Sequence, residues 1–155
     1  MALSTGYLTS KQKQIWNLKN KGLLETNIAR RLNITRQTVH KALNVANAKV
    51  SQSLLETARL NKIKVKTVDP ADGILVGYSP EFKTDAMITF SAKNGVQIWY
   101  RHDGDCENCD QLQTCKAMLL DEAKDRNVQL PRDSDLMLPS KLAEIFFSKI
   151  MGERK

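Results

Sequence analysis

Apolar positions recur every three or four residues over the first sixty positions, then alternate, then return to helical spacing. Ile15, Trp16 and Leu18 give residues 8–20 the inner stripe of a short helix. Thr9 and Gln12 supply a capping box at its start, and Gly22 offers a left-handed stop. A second helix is predicted over 25–32, where Ile28, Ala29 and Leu32 share a face. Asn33-Ile34-Thr35 then breaks the pattern: Asn33 tolerates a left-handed turn, Ile34 plugs the gap between helices and Thr35 caps the next helix. From Arg36 a long segment to residue 62 carries Val39, Leu43, Ala46, Val50, Leu54 and Ala58 on one side.

After Asn61 the period becomes two. Residues 62–68 alternate as a strand with one wet face, 69–73 form a turn, and 74–78 form a second short strand ended by Pro80. Runs 86–91 and 96–100 flank Lys93-Asn94-Gly95, a hairpin signal. Helical spacing resumes after Cys115 with Met118, Leu119, Leu120 and Ala123, and Pro131 marks its end. Residues 132–138 read as a polar connection. Pro139-Ser140 opens a last amphipathic helix carrying Leu142, Ile145, Phe146, Phe147 and Ile150. The predicted class is α+β: an N-terminal helix-turn-helix with a long linking helix, a small antiparallel sheet with a Cys-rich site, and C-terminal helices. Two domains are expected, 1–62 and 63–155.

Charge sharpens this division. The 155 residues carry 24 Lys/Arg against 17 Asp/Glu, a formal charge of +7. Residues 1–64 hold 12 of the bases and only two acids, Glu25 and Glu56, so this part carries +10 and the remainder −3. A basic module joined to a mildly acidic one points to a polyanion as partner of the first. No apolar run is long enough to span a bilayer, and the N-terminus has no basic stretch followed by an apolar core. A cytoplasmic protein without a membrane partner is expected.

The helical pattern places Arg36, Gln37, Thr38, His40, Lys41 and Asn44 on the exposed face of the third helix, where they can meet base edges and phosphates. Gln37 suits adenine, Arg36 suits guanine or phosphate, and Lys41 suits phosphate. Residues 8–46 resemble the helix-turn-helix of LuxR-type regulators, sigma-factor region four and archaeal Tfx-type regulators. The matching positions are Leu8-Thr9 with Gln12, Gly22-Leu23, Ile28-Ala29, Leu32, Ile34-Thr35, Thr38-Val39 and Leu43. The resemblance implies that the segment from Thr35 is a recognition helix lying in the major groove of double-stranded operator DNA. Leu24 stands where that pattern has a capping Ser or Thr, and Asn27 where it has Glu. The stripe Ala46, Val50, Leu54 and Ala58 suits pairing with another helix. A partner subunit is favoured over the chain's own second domain, and a homodimer would match a palindromic operator with half-sites roughly 34 Å apart.

All three cysteines fall within ten residues, as Cys106-x2-Cys109-x5-Cys115. In a reducing compartment, clustered thiols more often bind metal than form disulfides. A helix starting near Cys115 adds positive potential that favours thiolates. The spacing resembles the three-cysteine part of several 4Fe–4S sites, which take four ligands. The fourth here is expected from His102, with Asp103 or Asp105, an external ligand or another subunit as alternatives. Zinc in a Cys3His site competes. The sequence shows no paired carboxylates in a nuclease arrangement, no Ser/His/Asp set and no phosphate-binding Gly loop, so no enzyme is expected. The favoured function is a transcription regulator whose cluster senses oxygen or redox state. A constitutive DNA-binding regulator with structural zinc is the alternative.

Overall fold

A computed structural model describes residues 8–102 and 104–152. The chain forms α1 (Ser10–Asn20), α2 (Glu25–Leu32), α3 (Arg36–Leu60), β1 (Lys64–Asp69), β2 (Ile74–Ser79), β3 (Thr84–Ser91), β4 (Gly95–Tyr100), α4 (Leu112–Asp125) and α5 (Pro139–Gly152). A 3-10 turn, Cys106–Asn108, precedes α4. The expected mixed α+β class is the one observed.

Four helices end alike. At the close of α1, α2, α3 and α4 the chain turns left-handed at Gly22 (φ 96°), Asn33 (φ 55°), Lys62 (φ 55°) and Asn127 (φ 57°). The next residue, Leu23, Ile34, Ile63 or Val128, donates its N–H five residues back, to Leu18, Ala29, Ala58 or Ala123. Each pair satisfies carbonyls that the helix leaves open and returns an apolar side chain toward the last turn. This moves one expected boundary: α4 stops at Asp125, well before Pro131, because Asn127-Val128 already completes the stop. Helix starts follow their caps. Thr9 and Gln12 form the expected capping box, with Gln12 N donating to Thr9 Oγ1 at 3.2 Å and Thr9 N to Gln12 Oε1 at 3.0 Å. Leu24, by contrast, gives α2 no side-chain cap.

Ile15, Ile28, Ala29, Val39 and Leu43 form the buried core of α1, α2 and the start of α3, with Leu18, Leu23, Leu32 and Ile34 packed around it. The four strands form one antiparallel meander in the order β1-β2-β3-β4. β1 is an exposed edge whose register breaks between Val65 and Thr67. Lys64 and Lys66, together with that irregularity, discourage pairing of the edge with another chain. In the β3–β4 hairpin only Gly95 of the Asn-Gly pair is left-handed (φ 67°).

The buried stripe of α3 corrects the expected subunit seam. Ala46, Val50, Leu54 and Ala58 pack in one core with Trp16, Ile63, Leu75, Ala86, Ile88 and Phe90. The chain's own sheet therefore covers the stripe. Small residues on both sides, Ala46 and Ala58 on the helix and Ala86 on the sheet, permit a close approach that Val50 and Leu54 fill. Trp16 completes the join. Its ring meets Phe90 edge-on at 5.0 Å, and its Nε1 donates to Pro70 O at 3.2 Å. Gly73 (φ 66°) lets the β1–β2 turn approach: a Cβ there would lie 2.5 Å from Phe90 O and 3.1 Å from the Trp16 ring.

The expected boundary at 62/63 moves for the same reason. The chain divides into two compact units, one running to Arg101 and one from His102. The sheet belongs with α1, α2 and α3. In the second unit α4 packs on α5. Leu119, Ala123, Leu142, Phe146 and Ile150 are buried, and Arg126 Nε meets the fully covered Glu122 carboxylate at 3.2 Å. Among the described residues, no helix is long and apolar enough to cross a membrane.

Leu54→Ala empties a fully buried site between helix and sheet, so it is expected to cost about 2–5 kcal/mol. Gly73→Ala adds backbone strain to a clash and is expected to cost about 1–3 kcal/mol. Urea unfolding followed by circular dichroism measures both, and an unchanged midpoint for Leu54→Ala would contradict the shared core.

Candidate nucleic-acid interface and thiol site

The basic unit presents its chemistry on the first turns of α3. Val39 and Leu43 turn inward, and Thr35, Arg36, Gln37, Thr38, His40, Lys41 and Asn44 are all exposed. Gln37, Lys41 and Asn44, at i, i+4 and i+7, form one row along the helix. Thr35 and Thr38 serve first as the helix start. Thr35 Oγ1 accepts from Thr38 N at 3.1 Å, and the two hydroxyls lie 2.8 Å apart.

Arg36 and His40 are held from α2. Glu25 Oε1 lies 3.2 Å from His40 Nδ1, and Glu25 Oε2 lies 3.7 Å from Arg36 Nε. A hollow of about 530 Å³ is lined by Glu25, Arg36, Gln37, His40 and Lys41. A second, of about 330 Å³, shares Glu25, Arg36 and His40 and adds Lys19, Leu24 and Thr26. Sequence periodicity identifies the α3 residues but misses Glu25. The available signal was its isolation, since it is the only acid in the first 55 positions.

No known protein family, curated protein or solved structure matches this chain.

The thiols lie on the 3-10 turn and at the start of α4. Cys106 is half-buried, whereas Cys109 and Cys115 are exposed. Cys109 N donates to Cys106 O at 3.3 Å, and Cys109 Sγ accepts from Gln111 N at 3.4 Å. Partial burial pushes the Cys115 thiol above the usual range, and negative charge at Cys109 and then Cys106 adds to the rise. The expected lowering by the helix N-terminus is therefore outweighed at Cys115.

Cys115 is near enough to Cys109 and Cys106 to feel their charge. Even so, among the described residues no group of three His, Cys, Asp or Glu side chains is gathered to hold a metal. His102 is exposed, and its imidazole crowds the space above Gly104, where a Cβ would lie 2.2 Å from Nε2. Asp105 accepts from Asn108 Nδ2 at 2.5 Å. Asp103 lies outside the described residues. By donor chemistry three thiolates would suit three corners of a soft-metal site, with one corner left for His102 or Asp105, and their gathering would have to accompany binding.

A raised pKa leaves less thiolate at any given pH, so the reactivity curve of Cys115 shifts to higher pH. With reductant and chelator present, iodoacetamide at pH 8 is expected to modify Cys109 before Cys115, as read by peptide mass spectrometry. Replacing Cys106 and Cys109 by serine removes the charge contribution but not the burial. Cys115 should then react faster while still lagging a free thiol.

Proposed function

We propose that the chain is a duplex-DNA-binding regulator that reads operator sequence with the N-terminal half of α3. The observation carrying this reading is the two-sided character of that half-helix. Val39 and Leu43 are locked into the three-helix core, and every position expected to meet DNA faces solvent in the most basic part of the chain. A rigid base under an exposed polar row is what groove recognition needs, because the row must arrive at base edges already oriented. Gln37 and Asn44 carry amides suited to adenine, and Lys41 supplies phosphate attraction. The resemblance to LuxR-type, sigma-factor region four and Tfx-type helix-turn-helix segments supports the same docking. Two copies on a palindromic operator use surfaces other than the sheet-covered stripe of α3.

The second unit supplies a metal-dependent signal in this reading. Cys106, Cys109 and Cys115 are the metal-holding residues, with His102 or Asp105 completing the set. A 4Fe–4S cluster would contribute sensitivity to oxygen and redox state; zinc would contribute structure only. The placement of all three of the chain's thiols within ten residues favours a bound soft metal.

Fluorescence anisotropy on short duplexes tests the DNA reading. Lys41→Ala is expected to weaken binding evenly across sequences and lower the salt slope by about one. Gln37→Ala is expected to cost about 1–3 kcal/mol on the preferred sequence and to relax choice at one position. A preference unaffected by either substitution would refute the assignment.

Anaerobic purification with a visible spectrum and iron, sulfide and zinc analysis tests the metal. Absorbance near 400 nm (about that wavelength for a cluster) is expected, together with a change in operator affinity on exposure to air. A colourless zinc protein would support the constitutive alternative, and equal affinity in loaded, metal-free and air-exposed forms would end the sensor reading.

A further inference from the structure

The feature of the basic surface least suited to binding a polyanion is a carboxylate in the middle of it. Glu25 is one of two acids in the first 64 residues, against 12 bases. It does not sit idle at the periphery. Its side chain is only 20% exposed, and its two oxygens face different bases of the recognition helix, His40 at 3.2 Å and Arg36 at 3.7 Å. Those two side chains remain 60% and 70% exposed, so their outer surfaces are still open to a partner. Glu25, Arg36 and His40 line both hollows on this face.

We propose that Glu25 is a positioning residue that sets DNA selectivity, by holding Arg36 and His40 in a fixed orientation and restraining them from phosphates at arbitrary sequence. This rests on the DNA-binding reading above. An unrestrained arginine is long enough to reach a phosphate on any duplex, and each phosphate neutralised adds to binding without regard to sequence. Restraint removes that contribution. It also presets a side chain suited to guanine, because a guanidinium already held by one partner loses less rotamer freedom when it meets a base. The helix start contributes on the other side. Glu25 is the first residue of α2, where the positive end of the helix stabilises its charge and Leu24 offers no capping side chain. One carboxylate at the uncapped start of α2 thus governs α3.

The test compares Glu25→Asp with wild type. Aspartate keeps the negative charge but shortens the reach, so it separates restraint from simple electrostatic repulsion. Binding is measured across a salt series to two duplexes, one of arbitrary sequence and one selected by the wild type from a random pool. Glu25→Asp is expected to bind the arbitrary duplex about three- to tenfold more tightly, with a salt slope steeper by up to about one. Its preference for the selected duplex should fall correspondingly. In an Arg36→Gln background the same change should have little effect.

An unchanged preference in a normally melting Glu25→Asp protein, beside a wild type that binds DNA, would overturn the inference alone. Failure of the wild type to bind any duplex would overturn the DNA reading itself.

Discussion

The contact between the C-terminal half of α3 and the sheet organises the basic unit. Ala46, Val50, Leu54 and Ala58 are buried against Leu75, Ala86, Ile88 and Phe90. Each large side chain fully removed from water contributes about 1.5–3 kcal/mol before entropy is counted. That contact decides what the remaining surfaces can do. It ties α3 down along half its length, while Ile15, Ile28, Val39 and Leu43 tie down the other half. The outer face of a 25-residue helix is thereby held still from both ends. Trp16 couples the two cores, because it packs with Phe90 in one and belongs to the same helix as Ile15 in the other.

A recognition surface profits from this arrangement because its side chains need no further ordering when they meet a ligand. The polar row of α3 rests on a helix fixed by two cores, and Glu25 reaches the long side chains Arg36 and His40. The thiol site is built differently. Its residues lie on a 3-10 turn and an uncapped helix start, and two of the three sulfurs are open to solvent. One part of the chain is held by two cores, and the other presents its thiols on a turn and an uncapped helix start.

Local chemistry was legible in the sequence, and partnership was not. Thr9, Gln12, Gly22, Asn33 and Thr35 mark their helix boundaries because each acts within a few residues. Asn127 carries the same mark, but Pro131 is the louder signal and draws the helix too long. Lys62 gives no warning, since a β-carbon disfavours the left-handed turn that tertiary packing imposes there. The stripe on α3 announces burial without naming the covering surface, which is why a partner helix and the chain's own sheet compete until the strands are placed. Glu25 belongs to the same class. Its partners stand 11 and 15 positions away on another helix, beyond any local pattern. The cysteine spacing identifies the thiol cluster but not its geometry, because positions shared between a turn and a helix start fix no coordination shape.

We propose that the exposed face at the start of α3 is where this chain meets DNA. Chemical-shift mapping of the backbone amides during titration with a short duplex is the direct test. The largest changes are expected within residues 24–45, with small ones across β1 to β4. Changes concentrated on the sheet or in residues 102–152, or no change at all, would contradict it.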